Sequence, residues 1–397
     1  MKMTWIALGL AIAAAMTALA SEAQTETSPI AEMSWQAIEE QARGQTVFLN
    51  AWGGSQPINS YLRWVAREVK SRYDITLNHV KVADIAETTQ RLLAEKAAGK
   101  QTGGSVDMVW INGENFRTMK TNHLLDGPFV AQLPNWELVD KQLPVYEDFT
   151  ESTEGLEAPW GVGQLVFIHD SQTLNNPPNS FAELLSLAVA FPGKVTYPQP
   201  PAFHGTSFLK AALIELTNAA PALYEPIDPT TDEKKFASIT APLWKYLDQL
   251  HAVAWQQGKR FPASSTEMMQ LLDDRQLLVA ITFNPNEARA AIERGDLPES
   301  AKAFAFEQGA LSNIHFLAIP WNASAKAGAR VVINFLMSPE AQRRKANIQI
   351  WGDPAVLTPE AMGADETQGF ELYRAIPEPH PSWQTALEAA WQQRYGH

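Results

Sequence analysis

The chain is predicted to be an α/β protein folded as two lobes. Strand-like and helix-like patterns alternate through residues 46–121, and a similar alternation resumes beyond a proline- and acid-rich interval at 126–157. The length, 397 residues, suffices for two hydrophobic cores.

The elements follow in order. Ser34 can cap a short helix carrying Trp35, Ile38 and Ala42, which ends at Gly44. Residues 46–52 read as a buried strand, Gly53-Gly54-Ser55 as a turn, and 58–72 as a helix with Ile58, Tyr61, Leu62, Val65 and Val69 at the 3.6 period. A second strand spans 75–82, and a helix spans 85–98 with Gly99 as its stop. The third strand covers 106–111, and Asn112-Gly113-Glu114-Asn115 turns into another helix. Such alternation predicts a parallel sheet with helices on both faces, and ligands in these sheets lie beyond the carboxyl ends of the strands. Here those ends are Trp52-Gly53-Gly54-Ser55 and Asn112-Gly113-Glu114-Asn115.

After the irregular interval, residues 159–168 give a glycine-containing start and an apolar strand, read as a crossing into a second lobe. A short helix at 181–190 and a strand at 193–197 precede a proline-stiffened loop, and a long helix runs from near Thr206 to about Asn218. Helices near 241–255 and 265–272 lead to a strand at 277–282, ending in Phe283-Asn284-Pro285-Asn286 as the return crossing. A strand at 314–319 and a helix at 325–337 follow. Ser338 then caps a helix with Pro339 in its first position and Glu340 in its first turn. The expected organisation is a leader at 1–20, first lobe at 21–160, and second lobe at 161–282. Residues 283–397 would hold the return crossing, the rest of the first lobe and C-terminal helices packed across both lobes.

The leader places the protein. Lys2 is followed by an apolar run at 5–16 and by Ala18-Leu19-Ala20, the pattern of a cleavable secretory signal peptide with mature Ser21. The run is shorter than the ~20 residues that span a bilayer. The chain has no cysteine, which excludes disulfides, thiol nucleophiles, cysteine-bound zinc and a lipidated N-terminal cysteine. The expectation is a soluble protein of the Gram-negative periplasm. A net charge of −13 argues against nucleic acid as a partner. Thirteen tryptophans supply core, but also cleft walls and faces for cations.

Catalytic signatures are absent: there is no G-x-S-x-G, H-E-x-x-H, Walker A or complete G-x-G-x-x-G. His169-Asp170 and Glu147-Asp148 read as surface doublets, and no metal or cofactor is expected. The candidate ligand contacts are instead Trp52 as a cleft wall, Gly53, Gly54 and Ser55 as amide and hydroxyl donors, and Asn112 and Glu114 as polar anchors. The segment Tyr197-Pro198-Gln199-Pro200-Pro201-Ala202-Phe203-His204-Gly205-Thr206-Ser207 meets a helix N-terminus. It offers Tyr197, Phe203, Thr206 and Ser207. Gln164 and Asn284 would be cleft-floor donors, and Gly161 and Gly163 hinge residues.

The segments "NAWGGS", "DMVWINGENF", "APWGVGQLVFIHD", "PGKVTYPQPPAFHGTSF" and "HFLAIPWNASAKAGARVVINFLMSPEAQ" together resemble extracellular solute-binding proteins of ABC importers, of the YnjB-like kind, over essentially the whole mature chain. The turn Ala202-Phe203-His204-Gly205 departs from that pattern, which has an acidic or polar residue in its middle. The resemblance implies a two-lobe clamshell of the type II periplasmic-binding class, closing on a ligand between its lobes. It implies a small-molecule solute, delivery to an ABC permease with its ATPase, a monomer, and no enzymatic activity. If the solute is a cation, Trp52 and Tyr197 would offer ring faces and Glu114 a charge; the tryptophans favour an organic or cationic solute, thiamine-like or polyamine-like. The rival functions are a ligand-sensing module for a membrane receptor and a periplasmic hydrolase or transferase.

Overall fold

The computed structural model describes residues 30–363 and 372–396; the leader lies outside the described residues. The strands are β1 (Thr46–Trp52), β2 (Thr76–Val82), β3 (Met108–Ile111), β4 (Glu147–Asp148), β5 (Glu151–Ser152), β6 (Glu157–Gln164), β7 (Val166–Asp170), β8 (Ala280–Thr282), β9 (Ala301–Phe304), β10 (Ala310–Ala318) and β11 (Ala375–Pro377). The helices are α1 (Trp35–Ala42), α2 (Gln56–Tyr73), α3 (Ile85–Ala97), α4 (Gly113–Thr121), α5 (Phe181–Ala190), α6 (Phe203–Leu216), α7 (Glu233–Val253), α8 (Ser265–Asp273), α9 (Glu287–Arg294), α10 (Lys326–Leu336), α11 (Pro339–Ala346), α12 (Pro359–Met362) and α13 (Pro381–Tyr395).

Two sheets organise two cores. In the larger sheet β1 lies between β2 and β3, parallel to both, as the βαβ alternation requires. The sheet is nevertheless mixed. β10 runs antiparallel to β3 and β6 because it comes back from the second lobe, against the direction of the strands it joins. Val47, Leu49, Val65, Met108, Phe116 and Phe316 are buried in this first core. The smaller sheet is antiparallel, with β7 between β8 and β9. Its core holds Ile168, Leu184, Phe208, Leu247 and Ile281.

The lobe boundaries differ from the sequence expectation. Phe283 is not the return point: α9 buries Ala288 and Ala291 in the second core, and β9 pairs with β7, so the chain returns only between Phe304 and β10. Helix α13 also belongs to the second core, where Trp383, Leu387 and Trp391 are buried. Each such side chain contributes about 1.5–3 kcal/mol, which fixes α13 to the second lobe while it touches α4 of the first. The expected strand at 193–197 is not formed; Lys194 and Val195 accept isolated bonds from Leu278 and Trp255 instead of building a ladder. Helix α6 starts at Phe203 rather than Thr206, so Thr206 and Ser207 sit inside its first turns. Ser34 and Ser338 cap their helices as expected, accepting from Ala37 and Ala341.

Candidate ligand-binding cleft

The first lobe presents the ends of its parallel strands. Beyond β1, the Gly53 N–H donates to Val82 O (3.1 Å), and Asn59 Nδ2 donates to Gly53 O (2.9 Å). The half-buried Trp52 folds back over this turn: a β-carbon on Gly54 would lie 2.5 Å from its ring. Ser55 starts α2 without a capping bond from its hydroxyl. Beyond β2, Asp84 caps α3 by accepting from Ala86 N–H (2.8 Å). Beyond β3, Asn112 precedes α4, again without a side-chain cap. Gly113 adopts φ +59° with the Phe149 ring against it, a position no larger residue fits. Its N–H donates to Asp148 Oδ2 (2.6 Å). Glu114 follows, its Oε1 accepting from Asn115 Nδ2 (2.9 Å).

The second lobe answers with the start of α6. The Phe203 ring centre lies 4.9 Å from that of Phe283, with the His204 ring beside both. Burial holds the His204 imidazole down at about 4, neutral at physiological pH. About two helical turns further, Lys210 is 1% exposed. Its Nζ lies 2.8 Å from Glu378 Oε2, donates to Gln384 Oε1 (3.0 Å), and sits 4.4 Å from the centre of the Phe149 ring. Lys210 is thus where the first lobe, α6 and the C-terminal segment meet. Thr206 Oγ1, one turn before it, donates to Glu388 Oε1 of α13 (2.8 Å).

Carboxyl groups outnumber this cation. Burial raises Glu114 to about 8; Lys210 pulls it down, while Glu388 and Asp84 push it further up. Burial likewise raises Glu388 to about 7, against the bond from Thr206. Glu378 and Asp148 are raised by burial too. Asp148 Oδ1 and both oxygens of the buried Glu157 have no hydrogen-bond partner, nor does the buried Ser207 hydroxyl. Buried carboxyls without partners are costly and hold their protons until a cation arrives. Among the described residues no three histidine or acidic side chains are grouped tightly enough to hold a metal ion.

A family model for bacterial extracellular solute-binding proteins matches residues 64–363. Protein YnjB of Escherichia coli (strain K12) is 48% identical over 368 residues, 91% of this chain and 94% of that protein. The chain belongs to the bacterial extracellular solute-binding family. Its fold is that of the periplasmic binding proteins. AfuA from Actinobacillus pleuropneumoniae, with exogenous fructose-6-phosphate bound, superposes with a TM-score of 0.64 at 14% identity, covering 89% of this chain and 99% of that one. A putative spermidine/putrescine ABC transporter protein from Listeria monocytogenes gives 0.59 at 16% identity, covering 87% and 98%. Solute binding, not turnover, is the activity of this family.

Of the residues expected to contact a ligand, Glu114, Phe203, Thr206 and Ser207 gather around Lys210, Thr206 and Ser207 fully buried, with Asn112 at the edge of the group and Trp52, Gly53, Gly54 and Ser55 at the neighbouring strand end. Four expectations need correction. Tyr197 is fully buried in the second core, stacked on Phe208, its hydroxyl bonded to His251 and Trp391, so it offers a solute nothing. The Gln164 amide is spent on Ser312 and on Tyr373, to which it both donates and accepts. Asn284 is tied to Trp351 O and to Asn286 N–H, fastening the start of α9 to the first lobe. Gly161 and Gly163 lie within β6, paired to β10. Their missing side chains make room for neighbours: a β-carbon would lie 2.1 Å from Asp353 Oδ2 at Gly161 and 2.6 Å from the Phe283 ring at Gly163. The residues missed were Lys210, Glu378, Glu388 and Asp148. Lys210 had a signal, as the one lysine in the apolar run Phe208–Ile214 of α6. Glu388 had none, because only the fold carries α13 to α6.

Proposed function

We propose that this solute-binding protein is the periplasmic substrate-binding component of an ABC importer, and that its solute is an organic cation. The fold leaves the charge open, since one structural neighbour holds a sugar phosphate and another is named for polyamines. The observation that supports a cation is the surplus of carboxyls, the buried Asp148 and Glu378 and the half-buried Glu114 and Glu388, around the single cation Lys210. A cationic solute supplies the missing positive charge, and the rings of Phe203, Phe283 and Trp52 suit an apolar or aromatic body. A thiamine-like or polyamine-like solute meets both demands. The signal-peptide pattern at 1–20 would export the chain to the periplasm, where it would close as a monomer and deliver to a permease with its ATPase.

A thermal-shift screen of the mature protein, Ser21 to His397, tests this. Organic cations are expected to raise the melting temperature, and a solute at a hundred times its Kd adds about 2.7 kcal/mol of stability. Stabilisation by anions or neutral sugars alone overturns the cation assignment. Mass spectrometry of the denatured protein identifies any solute retained from expression.

A further inference from the structure

Helix α13 does more than brace the second lobe. Thr206 and Lys210 stand one turn apart on α6, and Glu388 and Gln384 stand one turn apart on α13; the pairs bond Thr206 to Glu388 and Lys210 to Gln384. This double contact turns the Gln384–Glu388 face of α13 toward the start of α6. Helix α13 also touches α4, whose first turn carries Glu114. Glu114 and Glu388 lie within electrostatic reach of each other, and both lie within reach of Lys210 and of Asp84 at the start of α3. Asp148 faces Glu114 from the β4 side. The buried Ser207 hydroxyl, without a partner, shares the α6 face of Phe203 and Lys210 and adds an unspent donor and acceptor.

We infer that Glu388 of the C-terminal helix and Glu114 of α4 together hold the cationic group of the solute, which makes α13 a third wall of the site. The inference rests on the cation reading above. Lys210 engages Glu378 at 2.8 Å and leaves the other two carboxyls to the solute. Both are raised into the neutral range, to about 8 and about 7, so capturing a cation releases protons from them to the buffer.

The test is isothermal titration calorimetry at pH 7 in two buffers of different ionisation enthalpy. The probes are putrescine, spermidine and thiamine. The wild-type protein is expected to release protons on binding. Glu388→Gln keeps an oxygen for Thr206 and so keeps the α6–α13 bond, but it should weaken binding tenfold or more and reduce the proton release. Glu114→Gln should do the same, and Glu388→Asp, which restores the charge, should recover part of both. Circular dichroism verifies that each variant is folded. If Glu388→Gln binds the probe as the wild type does, with unchanged proton release, the third-wall inference is overturned while the cation reading stands. If the wild type binds none of the three cations yet is stabilised by an anion or a sugar, the cation reading falls and takes this inference with it.

Discussion

The molecule buries two lysines against carboxylates, and the two settings differ in stoichiometry. In the first lobe, Lys345 and His315 converge on the single carboxylate of Asp353, with His315 Nε2 3.0 Å from Oδ2. Lys345 also donates to Pro354 O (2.9 Å), and the rings of Trp160 and Trp351 pack around His315. Burial alone would push Asp353 up, but His315 and Lys345 outweigh it and hold this carboxyl below the usual range. At the cleft the proportions are reversed: Lys210 faces several carboxyls, all raised, and some of the oxygens there lack partners. A cluster whose charges balance holds the fold together. On the reading proposed above, one with surplus acid is completed by a cationic solute.

The sharpest way to break the comparison is to remove each lysine in turn. Lys345→Met leaves Asp353 buried with only His315, and breaking a buried pair costs about 3–5 kcal/mol. Lys210→Met is expected to cost clearly less at pH 5, because Glu114 and Glu388 then hold their protons and burial also raises Glu378. That cost should grow toward pH 8, where they must ionise without it. Urea denaturation of both variants at the two pH values measures this; equal costs at both pH values would erase the distinction.

The glycines of β6 come next. Gly161→Ala drives a β-carbon into the space of Asp353 and His315, both buried within the balanced cluster, and overpacking there costs about 1–3 kcal/mol. Gly163→Ala meets the half-buried Phe283 ring rather than a buried charged pair, so its cost should be smaller and should fall on solute affinity instead. Thermal melts with and without solute separate the two. Were these glycines hinges, both changes would alter closure and neither would show this asymmetry.

The same contrast explains what was legible in the sequence. Period-3.6 and buried-strand patterns located β1–β3 and their helices because local burial alone fixes them. The turn residues at the strand ends followed from the βαβ rule, which is how Glu114 became a candidate. Tyr197 was misplaced because proline-rich context suggests an exposed loop, whereas its ring stacks at 4.5 Å on Phe208, a contact set by α6 folding back. Gln164 and Asn284 were polar residues at a crossing, and sequence does not reveal that the backbones of Tyr373 and Trp351 would use their amides. Glu378 and Glu388 reach the cleft only because Trp383 and Trp391 anchor α13 in the second core, far along the chain from every element they face.

Tyr197 yields a prediction of intermediate size. Trp391 Nε1 donates to its hydroxyl (2.8 Å), which is hydrogen-bonded to His251 Nε2 (2.8 Å). Burial holds that imidazole down at about 4, neutral and able to accept. Tyr197→Phe leaves a buried donor and a buried acceptor unpaired, worth about 1–3 kcal/mol. Denaturation should show that loss while calorimetry shows unchanged solute affinity; a change in affinity without a loss of stability would return Tyr197 to the site.

The last expected effect, spread over three pH units, is the most direct reading of the surplus acid. Glu114 and Glu388 titrate in the folded protein near 8 and 7, well above the ordinary carboxylate value they have when unfolded. Between those limits the folded state carries protons that the unfolded chain has released, so ∂ΔG/∂pH is negative there. Their contribution to stability is fully present below about pH 4.5 and is lost as the pH rises through 7 and 8. The solute-free protein should therefore melt at progressively lower temperature from pH 5 to pH 8. The double variant Glu114→Gln, Glu388→Gln should flatten that slope, since an amide has no proton to lose. A bound cation should flatten it as well, by stabilising the ionised forms. A wild-type melting temperature that is level or rising across this window would mean that the cleft carboxyls ionise freely, and the contrast with the balanced cluster around Asp353 would be lost.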